Sequence, residues 1–565
     1  RIVDFTDFID DILRGFGDLY DFLLQRKLEL LGGRLDELAS GVVIRVIFKP
    51  TAKYSKILSV SHSAYAQESN FQFDEFIGKL WLTAVTKPAI GKIVLSECED
   101  VWCGDVPYFC AEATSDSLRD SRGRSIDGVL LHDGLEATRA KLATLSTETK
   151  AQDLSTLRYA LLRKREQLHS ADEPAGALDG GPLAILKLLA QRILMDNGRG
   201  LYVDLVMGRD LVTRHRLLGG NLYTGMAGVI FAFAYAGKAD EDLRAKARAL
   251  ANTYFSDLDL ESENRIGVCD GLGSSLYLAA HLSALWSDTG LRAIAARLLA
   301  QIDKLIHFDR HFDLFTGAAG ALVAALAARS VVGEDVARPT IQRLIAHLSK
   351  YAVRGDGSCS WLSSIPSHGA TTGFAHGVSG IAHALVLAQN VEPSQQLEEM
   401  ILECHRFLES CRVDDGKWAE DQSRKDAKMD VWCHGALGVG LFYLHASRTR
   451  GGEFESRFRE AFATMTQAYV FDNDSLCHGT QGNLELFLGV LEDERYADLH
   501  EIARELVDAA TAEMSSRDPR CGNKYRHHSL SLFNGFSGIA YQGFRARGHA
   551  WPSVLAFAGV GGRGH

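Results

Sequence analysis

Proline is scarce in this chain, 10 among 565 residues, while glycine reaches 53. Glycine in such excess over proline is not loop filler and should have positional work. Long apolar runs are also missing. The longest, such as Phe315–Ala328, fall short of the roughly 18 residues a membrane-spanning helix needs, and glycine pairs stand at their heads, so they read as buried helices. There is no basic excess either. A net charge of −11 provides no positive field to recommend nucleic acid as a partner. The 10 cysteines form no CxxC pair, and no signal-peptide pattern opens the chain. Both features read as a cytoplasmic protein with reduced thiols. With 46% hydrophobic and 24% charged residues, disordered, fibrous and disulfide-stapled classes are excluded. The chain begins at Arg1, inside a helical pattern (Ile2, Phe5, Phe8, Ile9, Ile12), and the expectation is that a further part precedes it.

What is present is a repeat. A glycine, two residues, a second glycine or serine and then a helix-length apolar run recur seven times from residue 221 onward. The heads are Tyr223–Gly228, Cys269–Ser274, Phe315–Gly320, Ala375–Gly380, Cys433–Gly438, Cys477–Gly482 and Phe533–Gly538. Their first glycines lie at 225, 271, 317, 377, 435, 479 and 535, a spacing that accommodates two helices and their loops. The helix after each head is apolar nearly all round, as in Val229–Tyr235, and so should be buried on every side. The intervening segments, such as Asp242–Ala251, are charged and amphipathic. Seven inner and seven outer helices joined as hairpins predict a closed α/α toroid with all seven heads on one rim. Residues 1–170 lack the repeat. Helical patterns near 5–38, 74–88 and 134–168 surround a strand-like Val42–Phe48. A linker is read at 171–184 and a repeat domain at 185–565.

The rim carries the chemistry. Two heads read Cys-His-Gly, at Cys433-His434 and Cys477-His478. Two thiols and one imidazole supply three ligands of a tetrahedral zinc and leave one position open, which separates a catalytic from a structural site. A cysteine before glycine is also simply small enough for a tight turn, but two at the same repeat phase favour the metal. A third head places His376 at that phase without a preceding cysteine, which reads as acid/base work rather than a hydrogen bond in the turn. Asp313 lies four residues before its repeat glycine and is an alternative helix cap. Asp270 is a similar, weaker candidate.

These motifs, with Gly373-Phe-Ala-His-Gly377, Trp432-Cys-His-Gly435 and Leu476-Cys-His-Gly-Thr-Gln-Gly-Asn483, resemble the lanthionine cyclase (LanC-like) family over about residues 185–565. The resemblance implies the double-layered toroid, Zn2+ on Cys433, Cys477 and His478, and acid/base roles for His376 and Asp313. It places His434 beside the ligands rather than among them. The ending Trp551-Pro-Ser-Val-Leu555 is similar to cyclase domains fused to a dehydratase. Arg45-Val-Ile-Phe-Lys-Pro-Thr51 and Gly104-Asp-Val-Pro-Tyr-Phe109 resemble the end of the dehydratase domain of class II (LanM-type) lanthipeptide synthetases. That implies a partial α+β dehydratase segment over 1–170, with Arg45 and Thr51 serving phosphate elimination; Lys49 stands where the family usually has Arg. ATP and Mg2+ are expected only for the upstream portion, since no phosphate loop or metal pair is legible here. The implied reaction joins peptide Cys thiols to dehydroalanine or dehydrobutyrine of a ribosomal precursor peptide, with association with a transporter or protease as a further expectation. Two rival readings are a non-catalytic peptide- or glutathione-binding protein with structural zinc, and an α/α-toroid glycosidase. The latter would need paired carboxylates at the heads.

Overall fold

The computed structural model describes residues 8–61, 73–74, 77–81, 84, 88–147, 149–150, 153–154, 157, 181–196, 199–207, 213–260, 263–362, 369–413, 417–422, 430–468, 470–522 and 529–560. Residues 75–76, 82–83 and 85–87 of the helix read at 74–88, the end of that at 134–168, and residues 171–180 of the linker lie outside these. The chain divides into two compact units, Arg1–Glu166 and Gln167–His565.

In the first unit the helix Ile9–Gln25 is followed by shorter turns, with a break where Gly33 takes φ 123°. The strand read at 42–48 is Val43–Val46, the edge of a four-stranded antiparallel sheet with Phe109–Glu112, Leu118–Asp120 and Ser125–Ile126. Val43 faces Glu112 and Val46 faces Phe109. Helix Gly91–Trp102 places Ile93 against Phe109 and Leu118 to form a small core.

In the second unit the seven inner helices are Met226–Ala236, Leu272–Trp286, Ala318–Val332, Val378–Val391, Ala436–Arg450, Thr480–Leu491 and Phe536–Ala546. Each packs on the next, and the seventh packs on the first, so the ring is closed. All eleven residues of the first inner helix are buried, and fully burying one large apolar side chain contributes about 1.5–3 kcal/mol. The outer helices are amphipathic. Gln395–Ser410 turns Leu397, Met400, Ile401, Cys404, Phe407 and Leu408 inward. Several begin at side-chain caps: Asp240 accepts from the Leu243 amide, Asp288 from Leu291 and Ser394 from Leu397. Six outer helices follow their inner partner as a hairpin. The seventh does not, because the helix packed on Phe536–Ala546 is Gly181–Ala190, which precedes the whole repeat. Gly181–Ala184, read from sequence as the end of the linker, therefore belong to the ring.

At most heads the second position is glycine because nothing larger fits. A Cβ at Gly538 would be driven into the carbonyl oxygen of Leu532, six residues earlier, where the head folds back on its own approach. The neighbour is backbone and cannot swing away. Gly538→Ala is expected to cost several kcal/mol, on the scale of severe core overpacking; urea unfolding of the variant measures it, and a change below about 1 kcal/mol would contradict the packing argument.

Candidate active site at the toroid rim

Backbone hydrogen bonds sew consecutive heads together. The amide of Tyr223 donates to Cys269 O, Cys269 to Phe315 O, Phe315 to Ala375 O, Phe374 to Cys433 O, Leu476 to Phe533 O, and Phe533 to Tyr223 O, all between 2.9 and 3.2 Å. Between the fifth and sixth heads the link is made by side chains, with the Cys433 thiol hydrogen-bonded to Cys477. The residues two places before the first glycine thus share one rim: Tyr223, Cys269, Phe315, Ala375, Cys433, Cys477 and Phe533.

Cys477 is the centre of the thiol cluster. It is hydrogen-bonded to Cys433, to His478 and to the Tyr223 hydroxyl. The hydrogen bond from Cys433, aided by His478, pulls its thiol down to about 5 despite burial. Cys433 is pushed well above the ordinary thiol range by the proton it shares with Cys477 and by burial, and His478 is raised by its hydrogen bond to Cys477. The far nitrogen of His478, Nε2, donates to Gly522 O at 2.5 Å, which leaves Nδ1 on the side of the thiols. Gly522 has to be glycine for this approach, since a Cβ there would stand 3.0 Å from Nε2 and 2.7 Å from Ser475 Cβ. Two thiols and an imidazole whose distal N–H is fixed by a carbonyl form a donor set that suits zinc. Among the described residues, no three His, Cys, Asp or Glu side chains already stand in a metal-holding arrangement. The trio meets pairwise through Cys477, and a metal would replace those hydrogen bonds.

In the metal-free chain, the thiolate absorbance of Cys477 should appear as pH rises through about 5 rather than through about 8.5. Stability from this depressed group is complete above the ordinary thiol range and lost as pH falls through about 5. Ultraviolet titration against Cys477→Ser measures it; a single step near 8.5 would contradict the assignment.

The second cluster belongs to the third and fourth heads. Nδ1 of His376 donates to Asp313 Oδ2 at 2.8 Å. The other carboxylate oxygen, Oδ1, accepts from the amides of Thr316 at 2.8 Å and Gly317 at 3.1 Å. Asp313 is 1% exposed. One oxygen therefore ties the turn that leads into the helix, whose N-cap is Gly317, and the other orients the imidazole. Phe315 lies 4.8 Å from the His376 ring and 4.8 Å from Tyr223, which stacks at 5.0 Å on Phe533. An aromatic wall thus runs along the rim between the imidazole and the thiols.

Other sequence candidates lie elsewhere. Asp270 bonds Arg265 and Asn221, and burial raises its carboxyl. His434 lies against Gly373, where a Cβ would meet its Nδ1 at 2.9 Å. In the first unit, Arg45 is exposed on its edge strand with its guanidinium 5.4 Å from the Tyr108 ring centre. Thr51 opens helix Thr51–Ser61. Lys49 is buried, donating to Glu97 Oε1 at 2.6 Å, and Tyr54 bonds the same carboxylate. Tyr223, Phe315, Phe533 and Gly522 were not singled out from sequence. The first three share the repeat phase of Cys433 and Cys477, a signal that could have found them; Gly522 carries no such mark.

The family profile described as "Lanthionine synthetase C-like protein" matches residues 217–555, and that of a domain of unknown function (DUF4135) matches residues 1–112. The chain is 21% identical over 575 residues to "Lacticin 481/lactococcin biosynthesis protein LcnDR2" of Lactococcus lactis subsp. lactis, covering 95% of this chain and 59% of that protein. It thus spans about three fifths of that relative. Among solved structures, "Nisin cyclase" aligns with a TM-score of 0.47 at 18% identity, covering 57% of this chain and 87% of that one. A cellobiose 2-epimerase from Bacillus thermoamylovorans B4167 aligns with a TM-score of 0.35 at 13% identity, covering 53% and 87%. The glycine-headed ring and the profile match over more than half its length agree: the chain belongs to the lanthionine synthetase C-like family.

Proposed function

We propose that this chain closes lanthionine and methyllanthionine rings, adding peptide Cys thiols to dehydroalanine or dehydrobutyrine in a ribosomal precursor peptide, as part of a dehydratase–cyclase. The observation that carries this reading is the adjacency of two clusters on one rim: the thiols of Cys433 and Cys477 with His478, and the Asp313–His376 pair. The amides of Phe374 and Ala375 both donate to Cys433 O, so His376 is one residue from the link between the two sites.

Cys433, Cys477 and His478, the last through Nδ1, would hold zinc and leave one position open. Zinc there would supply acidification of an incoming thiol, whose ordinary pKa of about 8.5 leaves little thiolate at neutral pH. The sulfur–carbon bond forms at the β-carbon, and the negative charge placed on the acyl unit is discharged by a proton to the α-carbon. His376 delivers that proton from Nε2, because Nδ1–H is committed to Asp313. Asp313 stabilises the charged imidazole. The ring of Phe315 against His376 and the stacked Tyr223 and Phe533 exclude water from the path. Tethering nucleophile and acceptor in one peptide lets proximity replace concentration.

The glycosidase reading finds no support in the carboxylates, since Asp313 is engaged with His376 and its helix, and Asp270 with Arg265. A structural-zinc binder differs in its fourth ligand. X-ray absorption of the zinc-loaded chain is expected to report two sulfur and one nitrogen protein donors, with a third sulfur on adding a Cys-containing peptide. Four protein donors, unchanged by peptide, would overturn the proposal.

A further inference from the structure

Segment Trp551–Ala558 is in none of the seven repeats, yet it is buried throughout, with Val554 and Leu555 0% exposed. Its backbone carbonyls are taken one after another by side chains from around the ring. Arg545 Nε donates to Trp551 O at 3.2 Å and the Tyr541 hydroxyl to Pro552 O at 2.8 Å, both from the seventh inner helix. The indole Nε1 of Trp432, at the fifth head, donates to Leu555 O at 3.0 Å. His383 Nε2 of the fourth inner helix bonds Ala556 O at 2.9 Å, and the Tyr277 hydroxyl of the second donates to Ala558 O at 2.9 Å. Donors from the second, fourth and seventh inner helices and from the fifth head can converge on one short segment only if it lies inside the ring. Phe557 is held there at φ 52° and 1% exposed, a conformation that persists in a non-glycine residue only where its surroundings over-determine it.

One of these five bonds reaches the rim. Trp432 immediately precedes Cys433, and its ring packs on Phe533 of the seventh head at 5.0 Å and on Phe374, just before the fourth, at 5.8 Å. We propose that Trp551–Ala558 is the floor of the site, and that the Leu555 carbonyl, by fixing the Trp432 indole, sets the register of Cys433 on the rim. Trp432 is then a positioning residue. Outer partners hold metal ligands in place by hydrogen bonds to the ligands themselves; here the bond acts one residue away, on the residue before Cys433. The proposal rests on the reading of Cys433 as a donor, but its test does not require metal.

Metal-free wild type, Trp432→Phe and Tyr541→Phe are treated with iodoacetamide, and labelling of Cys433 is followed by peptide mass. Each variant removes one donor to a segment carbonyl and keeps an aromatic ring, so both should lower the melting temperature to a similar degree. Only Trp432→Phe is expected to speed Cys433 labelling, and in the zinc-loaded state only it should weaken zinc affinity, by about 10- to 100-fold. Equal acceleration in both variants would reduce the segment to a general stabiliser and overturn the proposal, as would unchanged labelling in Trp432→Phe. If Trp432→Phe does not fold, hydrogen exchange of the wild-type indole decides: the Trp432 N–H should exchange only with global unfolding, and fast exchange would overturn it. A wild type that binds no zinc would sink the zinc reading while leaving the labelling result decisive here.

Discussion

Asp313→Asn should leave the toroid folded and zinc bound, and slow ring closure by about 10²- to 10⁴-fold, the usual share of a positioned acid. The substitution is chosen for the division of labour within one carboxylate. Oδ1 accepts from Thr316 and Gly317, a task an amide oxygen performs equally well, so the turn before the helix survives. Oδ2 accepts from His376 Nδ1, and an amide nitrogen in that place offers N–H to a ring nitrogen that must itself carry a proton. The charged imidazole is disfavoured, and Nε2 loses its strength as an acid, which is the fate of an orienting aspartate replaced by its amide elsewhere. His376→Ala should match this loss without adding to it in the double variant, since the two act as a unit. Single-turnover rates on a pre-dehydrated peptide, with melting temperature and metal content as controls, measure the effect. A rate within a few-fold of wild type would remove the pair from the chemistry; loss of zinc in His376→Ala would move that residue into the ligand set.

The second large effect is expected from Cys477→Ala. Cys477 is the common partner of Cys433, His478 and Tyr223, so its loss removes one sulfur donor and the contact that gathers the other two. Zinc should be lost and cyclisation should fall to the spontaneous rate of the peptide. The fold should persist, because the sixth head stays tied to the seventh by the amides of Leu476 and Cys477, both donating to Phe533 O at 2.9 Å. His434→Ala is the contrast: its ring rests on Gly373, and zinc should stay. Metal analysis after dialysis distinguishes these outcomes, and full zinc retention in Cys477→Ala would contradict the ligand assignment.

The seven heads were legible because each must fold back on its own approach, and that constraint writes a glycine pair six times and a glycine with serine once. Their common phase was enough to single out His376, Cys433, Cys477 and His478 and to predict a ring. The closing helix was not legible. Gly181–Ala190 looks like any short apolar helix, and only its packing on Phe536–Ala546 reveals it as the seventh outer helix. Asp313 shows a different limit. Sequence reasoning weighed a helix cap against an acid/base role; the helix is capped at Gly317 without a side chain, and the carboxylate ties the preceding turn with one oxygen and bonds His376 with the other. Tyr223, Phe315 and Phe533 passed unnoticed because an aromatic side chain before a buried helix is an ordinary core residue until the ring brings it to the rim. Gly522 and the carbonyls of Trp551–Ala558 act through backbone atoms, which every residue has and no motif marks.

The most direct measurement is of ring closure itself. The zinc-loaded chain is incubated with a precursor peptide that already contains dehydroalanine or dehydrobutyrine and free cysteines. The reaction is followed by thiol alkylation and mass spectrometry. Addition changes no mass but consumes one thiol per ring, so the expected result is progressive loss of alkylation sites at constant peptide mass, abolished in Cys477→Ala and slowed in Asp313→Asn. A peptide that keeps every thiol open to alkylation, at the same rate with the chain as without it, would contradict the account.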